Sequence, residues 1–441
     1  MLEKVQKTSH ATISLTTGLD IPKSVVYFNL NDVYRVAVAE AFGNWLVLNG
    51  DKQVEQLELL RQGKTLGDIL VRYDDEGQKD FKKLVSQIYA RSFFEKKKPI
   101  TVPQLNQAAF FYLTYACNLS CTHCYMYKEK LHAAPLTLGE YGDIFASLRE
   151  IGVKNLTFSG GEPLLVPQFT DIVATAKSLG FNIAIFSNGT LWTKELIDFA
   201  NKYITAVQIS IDGTTESACA IVRGSGVFDK ALNTVYALSK VGVEVTVATT
   251  PQASTSEEIR QNYVDFTREV AKRSSKPIFF RLSTKILNGR RCGATDEYLQ
   301  QSLDLSEKIY DNNSAKIFAI NHRPNSGLNS CGFGGLNFTP DGFVYPCNRL
   351  SDCKPMANVR EMSIDQVYKI GREINSRTSV ENTAPCAKCA LRYLCGGGCR
   401  LDNFQRLSSH GELSVRKECS EQSKRAILTD MVKTTEFLYH F

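Results

Sequence analysis

No apolar run in this 441-residue sequence approaches the ~18 residues that a membrane-crossing helix needs, so no membrane partner is expected. Its first stretch, MLEKVQKTSHATISLTTG, has no apolar core of the secretory kind, and the expected location is cytoplasmic. Internal repeats at solenoid periods are missing, as are low-complexity blocks, which sets aside arrays and tails. Charge of one sign is not in excess either. Fifty-two Lys and Arg against 46 Asp and Glu leave a formal +6, a surface that suits an acidic peptide. Acids and bases are balanced over residues 25 to 92, so no phosphate-binding stripe forms and no nucleic acid partner is expected.

Cysteine, by contrast, is abundant. There are 13, most of them beyond residue 330. In a reducing compartment such thiols point to metal ligation rather than to disulfides. Hydrophobic residues at 43% and charged residues at 22% are ordinary for a globular chain, and the length exceeds one core, so two or three domains are expected.

Three apolar stretches, VVYFNL, VYRVAVAE and NWLVLNG, read as short strands between residues 25 and 49. Helical spacing follows over 51 to 92, with Val54, Leu57 and Leu60 on one stripe and Leu84, Val85 and Ile88 on another. Gly63 reads as a helix stop and Thr65 as the next N-cap. The lysine-rich EKKKPITVP, residues 95 to 103, makes a linker. From residue 109 the pattern alternates: AFFYLTY, VKNLTFS, FNIAIFS, AVQISID, VEVTVATT and PIFFRLS are six buried strands. Helical segments at 137–151, 167–180, 193–202, 227–241 and 256–273 separate most of them. Alternation of this kind means a parallel sheet, here a partial (β/α)6 barrel with its chemistry at the C-terminal strand ends. Past 320 the periodicity collapses into Gly, Pro and Cys. Little hydrophobic core is expected there, and bound metal is expected to organise it. A last helix, KRAILTDMVKTTEFLY, closes the chain. The expected domains are 1–103, 104–320 and 321–441.

YACNLSCTHCYMYK holds Cys117, Cys121 and Cys124 just after the first barrel strand. One reading is zinc, with His123 or His132 as fourth ligand. The other is a cubane iron–sulfur cluster in which three thiolates leave one iron open for a substrate or cofactor. After the second strand come Ser159, Gly160, Gly161, Glu162 and Pro163. Two glycines there let backbone approach a ligand, and Glu162 can pair with a cationic amine.

The spacing C-x3-C-x2-C followed by GGEP resembles the radical S-adenosylmethionine enzymes, although His123 stands where that family usually has an aromatic residue. The resemblance implies a catalytic [4Fe–4S] cluster on Cys117, Cys121 and Cys124, with Gly160, Gly161 and Glu162 at the methionyl amine. FSNGT, QISIDG and VRGSGVF follow in order, and by the same resemblance Ser187, Asn188, Ser210, Asp212 and Arg223 are candidates to hold the ribose and carboxylate. Arg223 suits a bidentate carboxylate pair.

Farther on, Cys331-x10-Gly342-x4-Cys347 and Cys386-x2-Cys389-x5-Cys395-x3-Cys399, with a distant Cys419, resemble the seven-cysteine SPASM domain. Two zinc knuckles are the alternative reading of those pairs taken alone. The resemblance implies two auxiliary [4Fe–4S] clusters, three clusters in all. Cys386, Cys389, Cys395 and Cys419 would hold one; Cys331, Cys347 and Cys399 would hold the other, with Cys353 as the nearest spare thiol for its fourth position. Cys219 and Cys292 match no ligand position and read as buried thiols. Asn348 occupies the place where sulfatase-maturing relatives carry an aspartate base, which counts against oxidation of a sulfatase side chain.

The strands and helices of 25–92, with LLRQGKTLGDILVRY, resemble the small winged-helix peptide-recognition domain, similar to the peptide chaperone of pyrroloquinoline quinone biosynthesis. That resemblance implies an edge strand near 25 to 39 that pairs with a leader peptide. The implied function is a radical maturase acting through a 5′-deoxyadenosyl radical. It would take hydrogen from a leader-bearing precursor peptide and close a carbon–carbon or thioether cross-link. A flavodoxin or ferredoxin would supply electrons. No protein acid or base is singled out. The alternatives are the same radical chemistry on a protein side chain or small metabolite without a leader, and an iron–sulfur electron carrier or zinc-stabilised binding protein.

Overall fold

The computed structural model describes residues 14–95, 107–282, 290, 328, 331–406, 413–416 and 419–439. Two compact units divide the chain: one comprises Met1–Pro103, Arg323–Cys331 and Arg377–Phe441, the other Gln104–His322 and Gly332–Ser376. The expected region 321–441 is therefore split between them.

In the first unit, β1 (Val25–Asn29), β2 (Tyr34–Ala39) and β3 (Asn44–Asn49) form an antiparallel sheet in the order β1-β2-β3. β2 is central, so of the expected edge segment 25–39 only β1 is an edge. Helices α1 (Gly50–Arg61), α2 (Leu66–Leu70) and α3 (Asp75–Ala90) follow. Thr65 caps α2 in a reciprocal box with Asp68, and Gly63 turns left-handed (φ +80°) after α1, where the sequence placed its stop. One sheet face, Ala37, Ala39, Leu46 and Leu48, packs on the helices. The other, Val36, Val38, Trp45 and Val47, packs on Leu391, Leu394, Leu428, Met431 and Val432, the last three on the C-terminal helix Glu421–Tyr439. Burial on both faces is why VAVA and WLVL run apolar without alternation.

The outer edge of β3 is closed by side chains. Gln87 Nε2 donates to Val47 O (2.8 Å) while its Oε1 accepts from Val47 N (3.3 Å), and Gln53 Oε1 accepts from Asn49 N (2.7 Å). Both glutamines are buried. Among the described residues no strand pairs with β1 on its other side.

The second unit is built on a nine-stranded sheet. Six parallel strands run in chain order: β4 (Ala108–Tyr112), β5 (Asn155–Ser159), β6 (Asn182–Ser187), β7 (Ala206–Ser210), β8 (Glu244–Thr249) and β9 (Ile278–Leu282). Helices α4 (Leu138–Glu150), α5 (Phe169–Ser178), α6 (Lys194–Tyr203), α8 (Val227–Val241) and α9 (Ser256–Arg273) are the five expected from sequence. A further helix, α7 (Glu216–Arg223), was not expected; Thr215 caps it and Gly224 ends it.

The segment beyond 331 departs from expectation more sharply. β10 (Leu336–Phe338) joins β4 in parallel, with β11 (Phe343–Tyr345) and β12 (Ala357–Asn358) antiparallel beyond it, and α10 (Ile364–Arg377) follows. Phe338 stacks on Phe111, ring centroids 4.3 Å apart, and Val344, Ile364 and Val367 enter the same core. Hydrophobic burial thus contributes to the order of residues 332–376, where little core was expected.

One face of each parallel strand, such as Phe158, Ile185, Ile209 and Val247, lies under the helices. The opposite face, with Thr157, Phe186, Gln208, Thr246 and Arg281, is half-buried or exposed. That division frees one face of the sheet for a ligand. Gly142, inside α4, meets nothing closer than Thr175 Cγ2 at 3.9 Å where a Cβ would stand. Gly142→Ala is therefore expected to stabilise the chain by about 0.5–1 kcal/mol, read as a raised urea midpoint at unchanged m-value.

A candidate cysteine-cluster site at the strand ends

The loop leaving β4 carries Cys117, Cys121 and Cys124 and ends in the 3-10 turn Tyr125–Lys128. The glycine turn after β5 holds this loop in place. Gly161 N donates to Thr114 O (2.8 Å) and Glu162 N to Ala116 O (2.9 Å). A Cβ on Gly161 would come within 2.2 Å of Ala116 O, and one on Gly160 (φ +152°) within 2.4 Å of Thr114 O. The glycines thus admit the backbone of the cysteine loop itself, a close approach that no side chain allows.

Glu162 is fully buried. Its carboxylate accepts from Asn188 N (2.8 Å) and Ser187 Oγ (2.9 Å), tying the β5 turn to the end of β6. Burial pushes its pKa up to about 7, while the bonds from Asn188 and Ser187 pull the other way. Asn188 Nδ2 donates to Asn118 Oδ1 (2.9 Å) and lies 4.0 Å from Cys117 Sγ, which also accepts from Leu119 N at 3.4 Å.

On the other side of the loop, Asp212 is the hub. Arg223 Nε donates to its Oδ2 (2.7 Å), Thr250 N to its Oδ1 (2.7 Å), and His123 Nε2 stands 3.3 Å from Oδ2. Arg223 Nη1 also reaches Cys121 Sγ at 3.9 Å. Arg223 thus ties Asp212 to the cysteine loop. Burial lowers the His123 pKa, opposed by Asp212, so the ring favours its neutral form, and its Nδ1 is buried with no hydrogen-bond partner. Ser210 ends β7 in register with Ala248.

Burial raises the thiol pKa of Cys117 and Cys121, while Leu119 N and Asn188 on one sulfur and Arg223 at the other favour the thiolate. Two of the three cysteines, Cys117 with N–H donors and Cys121 with a cation, are thus supplied as thiolate ligands of an iron–sulfur cluster would be. The backbone N–H of His132 donates to Asp341 Oδ2 at 2.7 Å, and its ring meets the Phe343 ring edge-on at 6.3 Å. The glycine turn and buried Glu162 fit an S-adenosylmethionine site beside such a cluster.

Hydrogen bonds therefore link Cys117, Glu162, Ser187 and Asn188 in one set and Cys121, Asp212 and Arg223 in another. The sequence reading missed the joining of His123, Arg223 and Thr250 through Asp212. Thr215 and Gly224 around TESACAIVR were the available signal that a helix aims Arg223 inward. Tyr112 was missed too: its hydroxyl donates to Asn348 O (2.6 Å) and lies 3.1 Å from Tyr125 OH.

Cys347 and Cys353 belong to this unit; Cys331, Cys386, Cys389, Cys395, Cys399 and Cys419 belong to the other. There, Cys389 N donates to Cys386 O (2.8 Å), and the Lys424 ammonium pairs with Glu421 (2.6 Å). The wholly buried Arg400 donates to Gly396 O (2.8 Å) and Gly398 O (2.7 Å), fixing the turn before Cys399. Cys219 is buried on α7, its thiol pushed up to about 11 by burial. Cys292 lies outside the described residues.

Residues 111–261 match the Radical SAM superfamily. The sporulation killing factor maturation protein SkfB of Bacillus subtilis is 27% identical over 296 residues, covering 63% of this chain and 68% of that protein. The mycofactocin maturase MftC of Mycobacterium tuberculosis is 28% identical over 316 residues, 66% of this chain and 78% of that one. Among solved structures, Streptococcus suis SuiB bound to S-adenosylmethionine aligns with a TM-score of 0.55 at 16% identity, covering 90% of this chain and 99% of SuiB, a likeness of fold. SuiB has also been solved with its precursor peptide SuiA. No described helix is long and apolar enough to cross a membrane.

Proposed function

With a radical S-adenosylmethionine domain at residues 111–261 and peptide maturases as relatives, we propose that this chain takes hydrogen from a precursor peptide and closes an intramolecular cross-link within it. The observation that carries the reading is the hydrogen-bonded network from Glu162 to Asn188 and Cys117, and from Asp212 through Arg223 to Cys121. A [4Fe–4S] cluster on Cys117, Cys121 and Cys124 with S-adenosylmethionine supplies the hydrogen-abstracting radical, and auxiliary clusters supply an electron sink.

The chain's own residues do the rest. Gly160 and Gly161 set the cysteine loop against the β5 end, and Glu162 fixes the β6 end beneath it. Asp212 holds Arg223 and His123 at the cysteines. Ser187, Asn188 and Ser210 end the strands where the ribose and methionyl groups would lie. The open sheet face, from Phe186 through Gln208 to Arg281, takes the peptide. Cys331, Cys347, Cys386, Cys389, Cys395, Cys399 and Cys419 would carry the auxiliary clusters, and a flavodoxin or ferredoxin the reducing electron. β1 is the strand that a leader would join. Residues 1–103 would then be the recognition region. Its sheet is packed on residues 391–432, so the test uses the full chain.

The small-peptide fraction of the native host is incubated anaerobically with the full chain, reductant and S-adenosylmethionine. A peptide lighter by a pair of hydrogens, absent with Cys121→Ala, is the expected product, and fragmentation locates the bond. Release of 5′-deoxyadenosine with no peptide changed in mass would overturn cross-linking and favour a small-metabolite substrate.

A further inference from the structure

Of the chain's two tryptophans, Trp192 stands five residues past Ser187, the last residue of β6. It precedes Thr193, the N-cap of α6, and its ring is half-buried against the core of the sheet. An indole carries one donor and no acceptor, so its placement decides a single hydrogen bond. That bond runs inward: Trp192 Nε1 donates to Ser187 Oγ at 3.1 Å.

Ser187 Oγ is thereby saturated. It also accepts from Gly189 N (3.0 Å) and donates to Glu162 Oε1 (2.9 Å). A hydroxyl offers one proton and two lone pairs, and all three are spent here. With N–H donors on both lone pairs, the proton has one direction left, toward the carboxylate. The turn that brings Gly189 N back is left-handed (φ +81°), and a Cβ there would come within 2.9 Å of Ile209 Cγ2. Thr234 Oγ1, on α8, holds the same turn by donating to Gly189 O (2.7 Å). Glu162, Ser187 and Thr234 are all buried. Asn188 N meets the other carboxylate oxygen, Glu162 Oε2, at 2.8 Å, while Leu164 N stands 3.5 Å from Oε1. The plane of the carboxylate is therefore set from the β6 end, and Oε2 keeps a lone pair for a cationic amine.

We propose that Trp192 is a positioning residue for S-adenosylmethionine: through Ser187 it orients the Glu162 carboxylate that receives the ligand's ammonium. The Ser187 hydroxyl itself gives the ligand no bond. This rests on the reading of residues 159–163 as the place of the methionyl amine. Indole, hydroxyl and carboxylate form a chain of bonds polarised in one direction, each link strengthening the next in a buried site. Without the indole N–H, a lone pair on Ser187 is freed and its proton is no longer confined to Glu162.

The test uses the full chain with its clusters reconstituted anaerobically and without reductant, and S-adenosylmethionine binding is read by equilibrium dialysis. Trp192→Phe keeps an aromatic ring and drops the donor, and Ser187→Ala removes the relay. Trp192→Phe is expected to weaken binding about fivefold, the worth of one neutral hydrogen bond. Ser187→Ala should weaken it about tenfold, a bond to a charged group being the stronger kind. The double variant should bind no worse than Ser187→Ala, because the indole acts only through the hydroxyl. In turnover, KM for S-adenosylmethionine should rise in Trp192→Phe while kcat for 5′-deoxyadenosine release and iron per chain hold. Additive losses in the double variant, or unchanged binding in Trp192→Phe, would overturn the proposal and leave the ligand site standing. Loss of iron or of cooperative urea unfolding in Trp192→Phe would overturn it too, since the ring would then serve the fold. A parent that binds no S-adenosylmethionine would overturn the reading of the site itself, a result distinct from the others.

Discussion

Replacing Arg223 by alanine is expected to destabilise the chain by about 3–5 kcal/mol, the usual loss when one partner of a buried ion pair is removed. Asp212 and Arg223 side chains are 1% and 9% exposed, and the carboxylate has no water to fall back on. Thr250 N and His123 remain as its neighbours, and neither carries the compensating charge at neutral pH. Arg223→Lys should recover part of the loss, since an ammonium supplies charge without the Nε geometry. A double variant, Arg223→Gln with Asp212→Asn, should recover more, because it strands no charge. Urea denaturation of the parent, Arg223→Gln, Asp212→Asn and the double variant makes the thermodynamic cycle. If the double variant were no better than Arg223→Ala, the loss would not come from the uncompensated carboxylate. Cluster content supplies the second readout: the Cys121 sulfur loses its cation, so iron bound per chain should fall in Arg223→Ala and hold in Arg223→Lys.

Gly161→Ala is expected to have the second large effect, on stability and on the site together. The new Cβ would lie 2.2 Å from Ala116 O and 2.7 Å from Tyr115 O, both backbone atoms with no rotamer to move aside. Relief requires the loop before Cys117 to shift by roughly 1 Å, at a cost of about 3 kcal/mol by the overpacking scale. A shift of that size at a reacting centre is worth about 100-fold in rate. Thermal denaturation of the protein without iron isolates the first effect, and 5′-deoxyadenosine release by the reconstituted protein reads the second. The contrast with Gly142→Ala is the internal control, since the same methyl group stabilises where α4 leaves room. A Gly161→Ala protein with an unchanged midpoint would mean that the turn does not hold the cysteine loop this closely.

Local signals carried much of this architecture in the sequence. Alternating β-branched runs placed all six parallel strands, and Thr65 and Gly63 marked helix ends that the fold keeps. The cysteine spacing and the glycine turn stood out because few other chemistries ask for them. What stayed hidden is non-local. β10 pairs with β4, Leu336 beside Ala109, across most of the chain's length, and three-residue strands carry too little periodicity to announce themselves. Phe338 looked like part of a Cys-rich irregular region until its ring was found stacked on Phe111. The bond from Arg223 was hidden for a similar reason: nothing local shows that an arginine at the end of α7 turns back to Asp212, eleven positions earlier.

The two glutamines at the β3 edge bear on how the small sheet behaves in company. A sheet with two open edges is a monomer for polymerisation: each added strand exposes a new template for the next. Here one end of that growth is chain-terminated by Gln87, whose carboxamide makes the donor and acceptor contacts that an incoming backbone would make, and by Gln53 beside it. Two such sheets cannot be strung in an endless register through the β3 edge, which gives fibres nothing to propagate on.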